Sequence, residues 1–294
     1  MKVNRKRSRI VLIVAVVILT ILAIPSYLWT KKNIHDLGRW QNSRLSPVIM
    51  IPGSSATVNR FDDMVKLLNE KDHQNHSLLK VKVFNDGKIK YYGKIRSGDN
   101  EPIIVVGFQN NHDGYSNILE QAKMFNAAFK SLQKRYYFNN YKAIGHSNGG
   151  LVYTAFLEKY YDNYDVRMTS LMTIGSPFNF GESNLKYKTQ MLADFIKAKK
   201  KIPKNLTVYS VAGTENYDSD GLVPLNSVEA EKYVYQGQVK HYTEVTVTGV
   251  DAEHSDLPQN QQIVDLIQKY ILDNPGQGGP VPQQNDDKNN KENK

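Results

Sequence analysis

The chain has 294 residues, with 38 Lys and Arg against 29 Asp and Glu, which gives a formal net charge of +9 at pH 7. Five of these cations lie in residues 1–9 and two more are Lys31 and Lys32, so the remainder carries only about +2, too little for a nucleic-acid-binding surface. There is no cysteine, which excludes disulfides, a thiolate nucleophile, Cys-ligated zinc and acylation as a lipoprotein.

The N-terminal segment predicts a membrane anchor. Residues 10–29 form a run without a charged residue, and twenty residues at about 1.5 Å each span the roughly 30 Å of a bilayer core. The basic residues 1–9 precede this run, so we expect them in the cytoplasm and the rest of the chain outside. A cleaved signal peptide with secretion is the competing interpretation. The run is long for a signal peptide and has no Ala-x-Ala site near Pro25, which favours an uncleaved anchor followed by a linker over 30–45.

Residues 46–273 predict one α/β domain. Apolar segments alternate with helical patterns such as Ile118–Tyr136, which favours a mostly parallel sheet with helices on both faces. A hairpin over Leu79–Ile95, turning at Asn85-Asp86-Gly87, is expected at one edge of the sheet. The predicted strands are 47–51, 102–108, 141–146, 170–175, 206–213 and 242–248. Residues 274–294, rich in Gly, Pro, Gln, Asn and Lys, predict a disordered tail.

One strand runs directly into Gly145-His146-Ser147-Asn148-Gly149-Gly150 and then into a helical pattern over 151–160. This Gly-x-Ser-x-Gly pattern between strand and helix is typical of a nucleophile elbow, in which the glycines permit a strained turn. Ser147 is therefore the candidate nucleophile. The plainer interpretation is a Gly-rich turn with an ordinary serine.

A serine nucleophile needs a base and an acid, in the chain order Ser, Asp or Glu, His. Asp220 follows the strand 206–213 and is the candidate acid, with Asp218 in reserve. His254 follows the strand 242–248 and is the candidate base, whereas His241 precedes that strand. His146 lies inside the elbow and is interpreted as a packing residue. Four histidines precede Ser147 in the chain and would therefore need a different order of the triad residues: His35, His73, His76 and His112.

The tetrahedral intermediate of acyl transfer also needs backbone NH groups that bind its negative oxygen. One donor should be the NH of Asn148, directly after the nucleophile. The other should come from the loop 52–57, which follows the first predicted strand and leads into a helical pattern. We assign it to Ser54, with Ser55 as the weaker choice.

The chain resembles the α/β-hydrolases of lipase and esterase type that are candidate cell-surface hydrolases of Gram-positive bacteria. The resemblance covers roughly residues 46–273 and lies in four motifs: Gly145–Gly150, Ile174–Asn179, Ser219–Pro224 and Ala252–Leu257. It implies a triad of Ser147, Asp220 and His254 in an α/β-hydrolase fold. The departure is Pro52, where relatives usually carry His before the glycine of the oxyanion loop.

The sequence therefore predicts a membrane-anchored extracellular serine hydrolase, acting on small-molecule or lipid carboxylic esters without a metal or cofactor. A thioesterase, amidase or peptidase would use the same triad. The alternative from another class is a catalytically silent envelope protein that uses the fold to bind a partner. Residues 181–205 predict either a lid or a packed surface helix with a basic end. Asn216–Gly221 resembles a calcium loop, but Ser227 stands where its bidentate Glu is required.

Overall fold

A computed structural model of the chain describes residues 5–72 and 75–272. The chain forms two compact units that divide between Ser43 and Arg44. The first contains one helix, α1, Arg5–Gln41. From Arg9 onward this helix is long and apolar enough to cross a membrane, and none of its apolar stretch is buried by protein. It includes the predicted anchor 10–29 and continues through most of the predicted linker.

The second unit is built on an eight-stranded sheet in the order β3-β2-β4-β1-β5-β6-β7-β8. Every neighbouring pair is parallel except β2 and β3. The strands are β1 Val48–Ile51, β2 Leu78–Val83, β3 Ile89–Gly93, β4 Ile103–Phe108, β5 Asn140–His146, β6 Arg167–Ile174, β7 Thr207–Thr214 and β8 His241–Thr248. The helices are α2 Asp62–Asp72, α3 Tyr115–Tyr136, α4 Asn148–Lys159, α5 Gln190–Ala198, α6 Leu225–Glu229, α7 Lys232–Tyr235 and α8 Gln261–Tyr270.

The central strands are apolar on both faces because helices cover both faces. Successive side chains of β1 point to opposite sides, so Ile49 and Ile51 belong to one core while Val48 and Met50 belong to the other. The first core includes α3 and α4, and the second includes α2 and α8. The predicted α/β-hydrolase fold with a mostly parallel sheet is confirmed.

The predicted hairpin is also confirmed, and it lies at the sheet edge as expected. β2 pairs with β3 antiparallel and with β4 parallel. Its turn closes through the NH of Phe84, which donates to Lys88 O at 2.9 Å, and Gly87 adopts φ of 83°. Only glycine takes this left-handed conformation at little cost, which explains the Asn-Asp-Gly sequence.

Within the segment 181–205, α5 packs as a surface helix. Thr189 caps it by accepting from the NH of Leu192, and Met191, Leu192 and Phe195 are buried. This burial favours the packed-helix interpretation over a lid. The predicted tail, 274–294, lies outside the described residues.

Candidate active site

The elbow residue Ser147 stands between the last residue of β5 and the first residue of α4. Its backbone has φ of 54° and ψ of −127°, a conformation that is costly for a non-glycine residue. The NH of Ser147 donates to Ile174 O at 2.8 Å. A β-carbon at position 149 would collide with the carbonyl of Ile51, so only glycine lets α4 approach β1 this closely. Surrounding packing thus holds the serine in its strained turn.

The structure brings Ser147, His254 and Asp220 together from three different loops. His254 Nε2 lies 3.0 Å from Ser147 Oγ, and His254 Nδ1 lies 2.7 Å from Asp220 Oδ2. The loops that carry these residues follow β5, β7 and β8, and parallel neighbouring strands bring their carboxyl ends to one edge of the sheet. All three side chains are buried.

The hydrogen bonds around Asp220 fix the tautomer of His254. Asp220 Oδ1 accepts from the NH groups of Leu222 at 3.1 Å and Val223 at 2.7 Å, so its other oxygen is the one that faces the imidazole. A carboxylate is acceptor-only, and His254 Nδ1 therefore carries the proton. His254 Nε2 is left as a lone pair that can accept from the hydroxyl of Ser147. This is the arrangement in which a histidine can act as general base.

The loop after β1 lies against the serine on its other side. A β-carbon on Gly53 would stand 2.6 Å from Ser147 Cβ and 3.1 Å from Ser147 Oγ. The NH of Ser55 donates to Asn111 O at 2.7 Å and is thereby occupied. The NH of Ser54 has no acceptor among the described residues, and Asn148, as first residue of α4, has no acceptor within the helix for its NH. These two NH groups follow Gly53 and Ser147 in the chain and are available as donors.

Comparison with known proteins identifies the fold family. The sequence profile of a family described as alpha/beta hydrolases of unknown function (DUF915) matches residues 38–274. The chain belongs to this family. A solved candidate cell surface hydrolase from Lactobacillus plantarum WCFS1 is 53% identical, with a TM-score of 0.72 over 78% of this chain and 92% of that chain. A solved gene product of Listeria innocua is 29% identical, with a TM-score of 0.71 over 77% of this chain and 94% of that chain. No functionally curated protein matches the chain.

In this α/β-hydrolase the elbow histidine, His146, has a role that the sequence did not indicate. Its ring is buried, and Nε2 lies 3.0 Å from the carbonyl oxygen of His254. The NH of His254 donates to Asp220 O at 2.8 Å, so the backbone of His254 is held on both sides. Burial, followed by the nearby His254 and Arg60, lowers the pKa of His146 well below its usual value. A neutral His146 thus donates to the His254 carbonyl.

Asp113 is the second residue that sequence reasoning missed. It lies in the loop after β4, and its Oδ1 accepts from Asn148 Nδ2 at 2.8 Å and from the NH of Gly114 at 2.8 Å. Asn148 follows Ser147 directly in the chain, and this contact fixes its side chain. The only signal in the sequence is that a polar loop follows a predicted strand, which is too general to select one residue.

The other candidates lie away from the serine. Asp218 is exposed, and its backbone oxygen accepts from the NH of Leu225. His241 begins β8 at the opposite end of the strand from the site, as its position in the sequence predicts. His76 Nδ1 contacts Glu101 O before β4, and His73 lies outside the described residues.

Exposed carboxylates surround the mouth of the site. Glu253 precedes His254 directly, and the charge of Glu215, with a hydrogen bond between the two side chains, raises the pKa of Glu253. Asp113 adds a third exposed carboxylate on the other side of the serine. Arg60 lies near the site, where it donates to Ser255 O and to Gln259 Oε1 and so ties the loop of His254 to the segment before α2.

Proposed function

We propose that this protein is a membrane-anchored serine hydrolase that cleaves carboxylic esters through an acyl-enzyme. The single observation that carries the proposal is the continuous hydrogen-bonded chain from Ser147 through His254 to Asp220. Membership of an α/β-hydrolase family supports hydrolysis in general, while the ester preference and the triad are parts of the proposal.

In the acylation step, His254 Nε2 takes the proton of Ser147 as the serine oxygen attacks the carbonyl carbon. The negative charge that develops on the substrate oxygen is stabilised by the NH groups of Asn148 and Ser54. Asp220 stabilises the imidazolium and keeps its orientation. His254 then gives the proton to the leaving alcohol, which departs as the acyl-enzyme forms.

Deacylation repeats these roles with water as the nucleophile. His254 takes a proton from the water, the same two NH groups stabilise the second tetrahedral intermediate, and the proton returns to Ser147 as the acid leaves. All groups that move protons in both steps belong to this chain. A thioester or an amide would pass through the same intermediates, and the leaving group then decides the rate.

We place the hydrolase domain, residues 46–273, outside the cell, with α1 as its anchor. A relative that is a candidate cell surface hydrolase supports this placement, and so does the basic segment 1–9 ahead of the apolar helix. Detergent extraction of membranes tests this anchored placement. An uncleaved anchor requires detergent for release from membranes and retains the N-terminus, whereas a cleaved signal leaves a soluble, shorter chain in the medium.

The test of the chemistry is labelling of the full-length protein in detergent with a fluorophosphonate, which reacts with activated serines. We expect wild type to be labelled, and Ser147→Ala and His254→Ala to be unlabelled. Ser183→Ala is the matched control, because Ser183 is exposed on the loop after β6 and should leave labelling unchanged.

Two results would contradict the proposal. Labelling that persists in Ser147→Ala would show that another serine is the reactive one. A folded wild type that is not labelled and releases no alcohol from simple esters would favour a binding protein built on the hydrolase fold. Esters, thioesters and amides of one acyl group, compared by kcat/KM, then give the leaving-group preference.

A further inference from the structure

The amino edge of the sheet, opposite the site, carries a group of lysines that the proposed chemistry does not use. Three of them form the turn 199–201 after α5, and Lys204 follows just before β7. The other two precede neighbouring strands, Lys159 at the end of α4 and Lys240 before β8. We call this set the basic edge: Lys159, Lys199, Lys200, Lys201, Lys204 and Lys240.

Hydrogen bonds and packing bring these lysines together. The NH of Lys240 donates to Leu206 O at 2.9 Å, which joins the loop before β8 to the loop before β7. Lys199 Nζ donates to Tyr233 O at 3.1 Å. Lys159 and Lys201 both act electrostatically on the same buried carboxyl, Glu158. The basic edge is therefore one surface rather than a property of the sequence alone.

The charge of this surface is not cancelled within the part of the chain that the structure describes. None of the six lysines forms an ion pair with a carboxylate there. Burial raises the pKa of Glu158 to about 8, so this neighbouring carboxyl is mostly protonated at neutral pH. Two exposed carboxylates, Asp162 and Asp165, lie nearby before β6, and the exposed Arg167 offsets one of them. The lysines remain in clear excess.

The chain enters the domain at this same edge. The NH of Ser46 donates to Asn100 O at 2.8 Å, and β1 begins at Val48. β1 and β7 are three strands apart in the sheet, a distance of about 14 Å at about 4.8 Å per step. In the sequence, four residues, 42–45, separate Ser46 from the end of α1, the helix that is long and apolar enough to cross a membrane. The chain thus comes from the predicted membrane segment into the domain at the edge that carries these lysines.

We infer that the basic edge docks the domain onto anionic phospholipid headgroups of the membrane that anchors the chain. Clusters of lysines next to a membrane segment bind anionic headgroups electrostatically, and attachment to that membrane raises their effective concentration. The opposite edge carries the exposed carboxylates Asp113, Glu215 and Glu253 against Arg60 and the exposed Lys186 of the loop after β6, so it lacks the positive excess of the basic edge. The basic edge is therefore the face that an anionic surface attracts. This inference rests on the anchoring proposed above but not on the proposed chemistry.

The experiment uses the full-length protein in lipid nanodiscs with a dye on one introduced cysteine, which is straightforward because the chain has no cysteine. Asn205→Cys places the dye within the basic edge, and Val250→Cys places it on the exposed loop after β8, at the other edge. The discs contain phosphatidylcholine alone or mixed with phosphatidylglycerol, with a headgroup-labelled lipid as quencher.

We expect phosphatidylglycerol to increase quenching of the dye at 205 and not of the dye at 250. The increase should disappear at high salt, because the screening length falls from about 10 Å at 0.1 M to about 3 Å at 1 M. It should also disappear when exposed lysines of the basic edge are replaced together: Lys200→Gln, Lys201→Gln, Lys204→Gln and Lys240→Gln. The matched control removes the same charge from exposed lysines elsewhere and should keep the increase: Lys88→Gln, Lys94→Gln, Lys123→Gln and Lys130→Gln.

Several results would overturn the inference. Equal quenching in both kinds of disc, or an increase that survives loss of the four edge lysines, would exclude docking through this surface. Binding of soluble polyphosphate to the basic edge with no response to phosphatidylglycerol would assign the surface to a polyanionic polymer instead. Co-elution of the protein with phosphatidylcholine discs reports the anchor separately, so failure of anchoring and failure of docking are distinguishable.

Discussion

At the scale of single residues, the carboxylate of Asp220 is held so that its two oxygens have different partners. Oδ1 accepts two backbone NH groups, and Oδ2 faces His254 Nδ1. In Asp220→Asn the amide oxygen must keep the two NH groups, which turns the NH₂ toward His254. The imidazole is then forced to accept at Nδ1 and to carry its proton on Nε2, where it cannot act as a base.

We therefore expect kcat of Asp220→Asn on an ester to fall on the order of 10⁴-fold with little change in KM. Steady-state kinetics and circular dichroism of the same samples check this. Asp218→Asn is the matched control, since Asp218 is an exposed carboxylate of the same loop and should leave kcat unchanged. A larger loss of kcat in Asp218→Asn than in Asp220→Asn would mean that Asp218, and not Asp220, is the acid.

The second prediction at this scale concerns Gly53, because its α-carbon packs against Ser147. An added methyl would stand 2.6 Å from Ser147 Cβ, closer than real β-carbons come, and the loop with the NH of Ser54 must move away. Loss of one oxyanion donor costs about 10²- to 10³-fold in kcat, which we expect for Gly53→Ala. Gly181→Ala has open space around the new methyl and serves as control. Unchanged kcat in Gly53→Ala would exclude this loop from the oxyanion site.

At the scale of elements, the strands and the elbow could be predicted from the sequence because their signals are local. A buried parallel strand is an apolar run, and a Gly-Ser-Gly turn between strand and helix needs no distant partner. Chain order then selected Asp220 and His254, and the structure brings both to Ser147. The roles of His146 and Asp113 could not be predicted, since His146 meets the carbonyl of a residue 108 positions away and Asp113 meets Asn148 across 35.

Glu231, between α6 and α7, is a buried carboxyl that makes the free energy of unfolding depend on pH. Glu231 is fully buried, and its Oε2 accepts from Thr173 Oγ1 at 2.7 Å. Burial raises the pKa of Glu231 from 4.5 to about 8. Between these values the folded chain holds a proton that the unfolded chain has released, so the free energy of unfolding falls as pH rises.

The fall is about 1.4 kcal/mol per pH unit for each such carboxyl. The pKa of Glu158 is also raised to about 8 by burial, so it contributes a second, equal slope. Between pH 5 and pH 7.5, within the window from 4.5 to about 8, the free energy of unfolding of Glu231→Gln should fall by about 1.4 kcal/mol less per pH unit than that of wild type, and the variant should be more stable than wild type at pH 8. Denaturant unfolding at a series of pH values checks this. An unchanged slope would mean that Glu231 is ionised in the folded protein.

At the scale of the whole molecule, the two proposals together predict where the substrate comes from. The basic edge lies at the amino ends of the strands, and the serine lies at their carboxyl ends. The eight residues of β7 rise about 26 Å at about 3.3 Å each, so docking holds the mouth of the site well above the headgroups. An ester buried in the same bilayer is then out of reach, whereas a soluble ester approaches freely.

We therefore expect full-length protein in anionic nanodiscs to hydrolyse a soluble short-chain ester as fast as in neutral discs, but to leave an ester lipid of its own disc intact. Replacing Lys200, Lys201, Lys204 and Lys240 with Gln should release the domain and increase cleavage of the ester lipid, while the soluble ester is cleaved at the same rate. The control that removes lysines 88, 94, 123 and 130 should resemble wild type. Rapid cleavage of the ester lipid by wild type in anionic discs would contradict this orientation, since it requires the mouth of the site to face the bilayer. In every sample, hydrolysis of the soluble ester reports whether the enzyme is active.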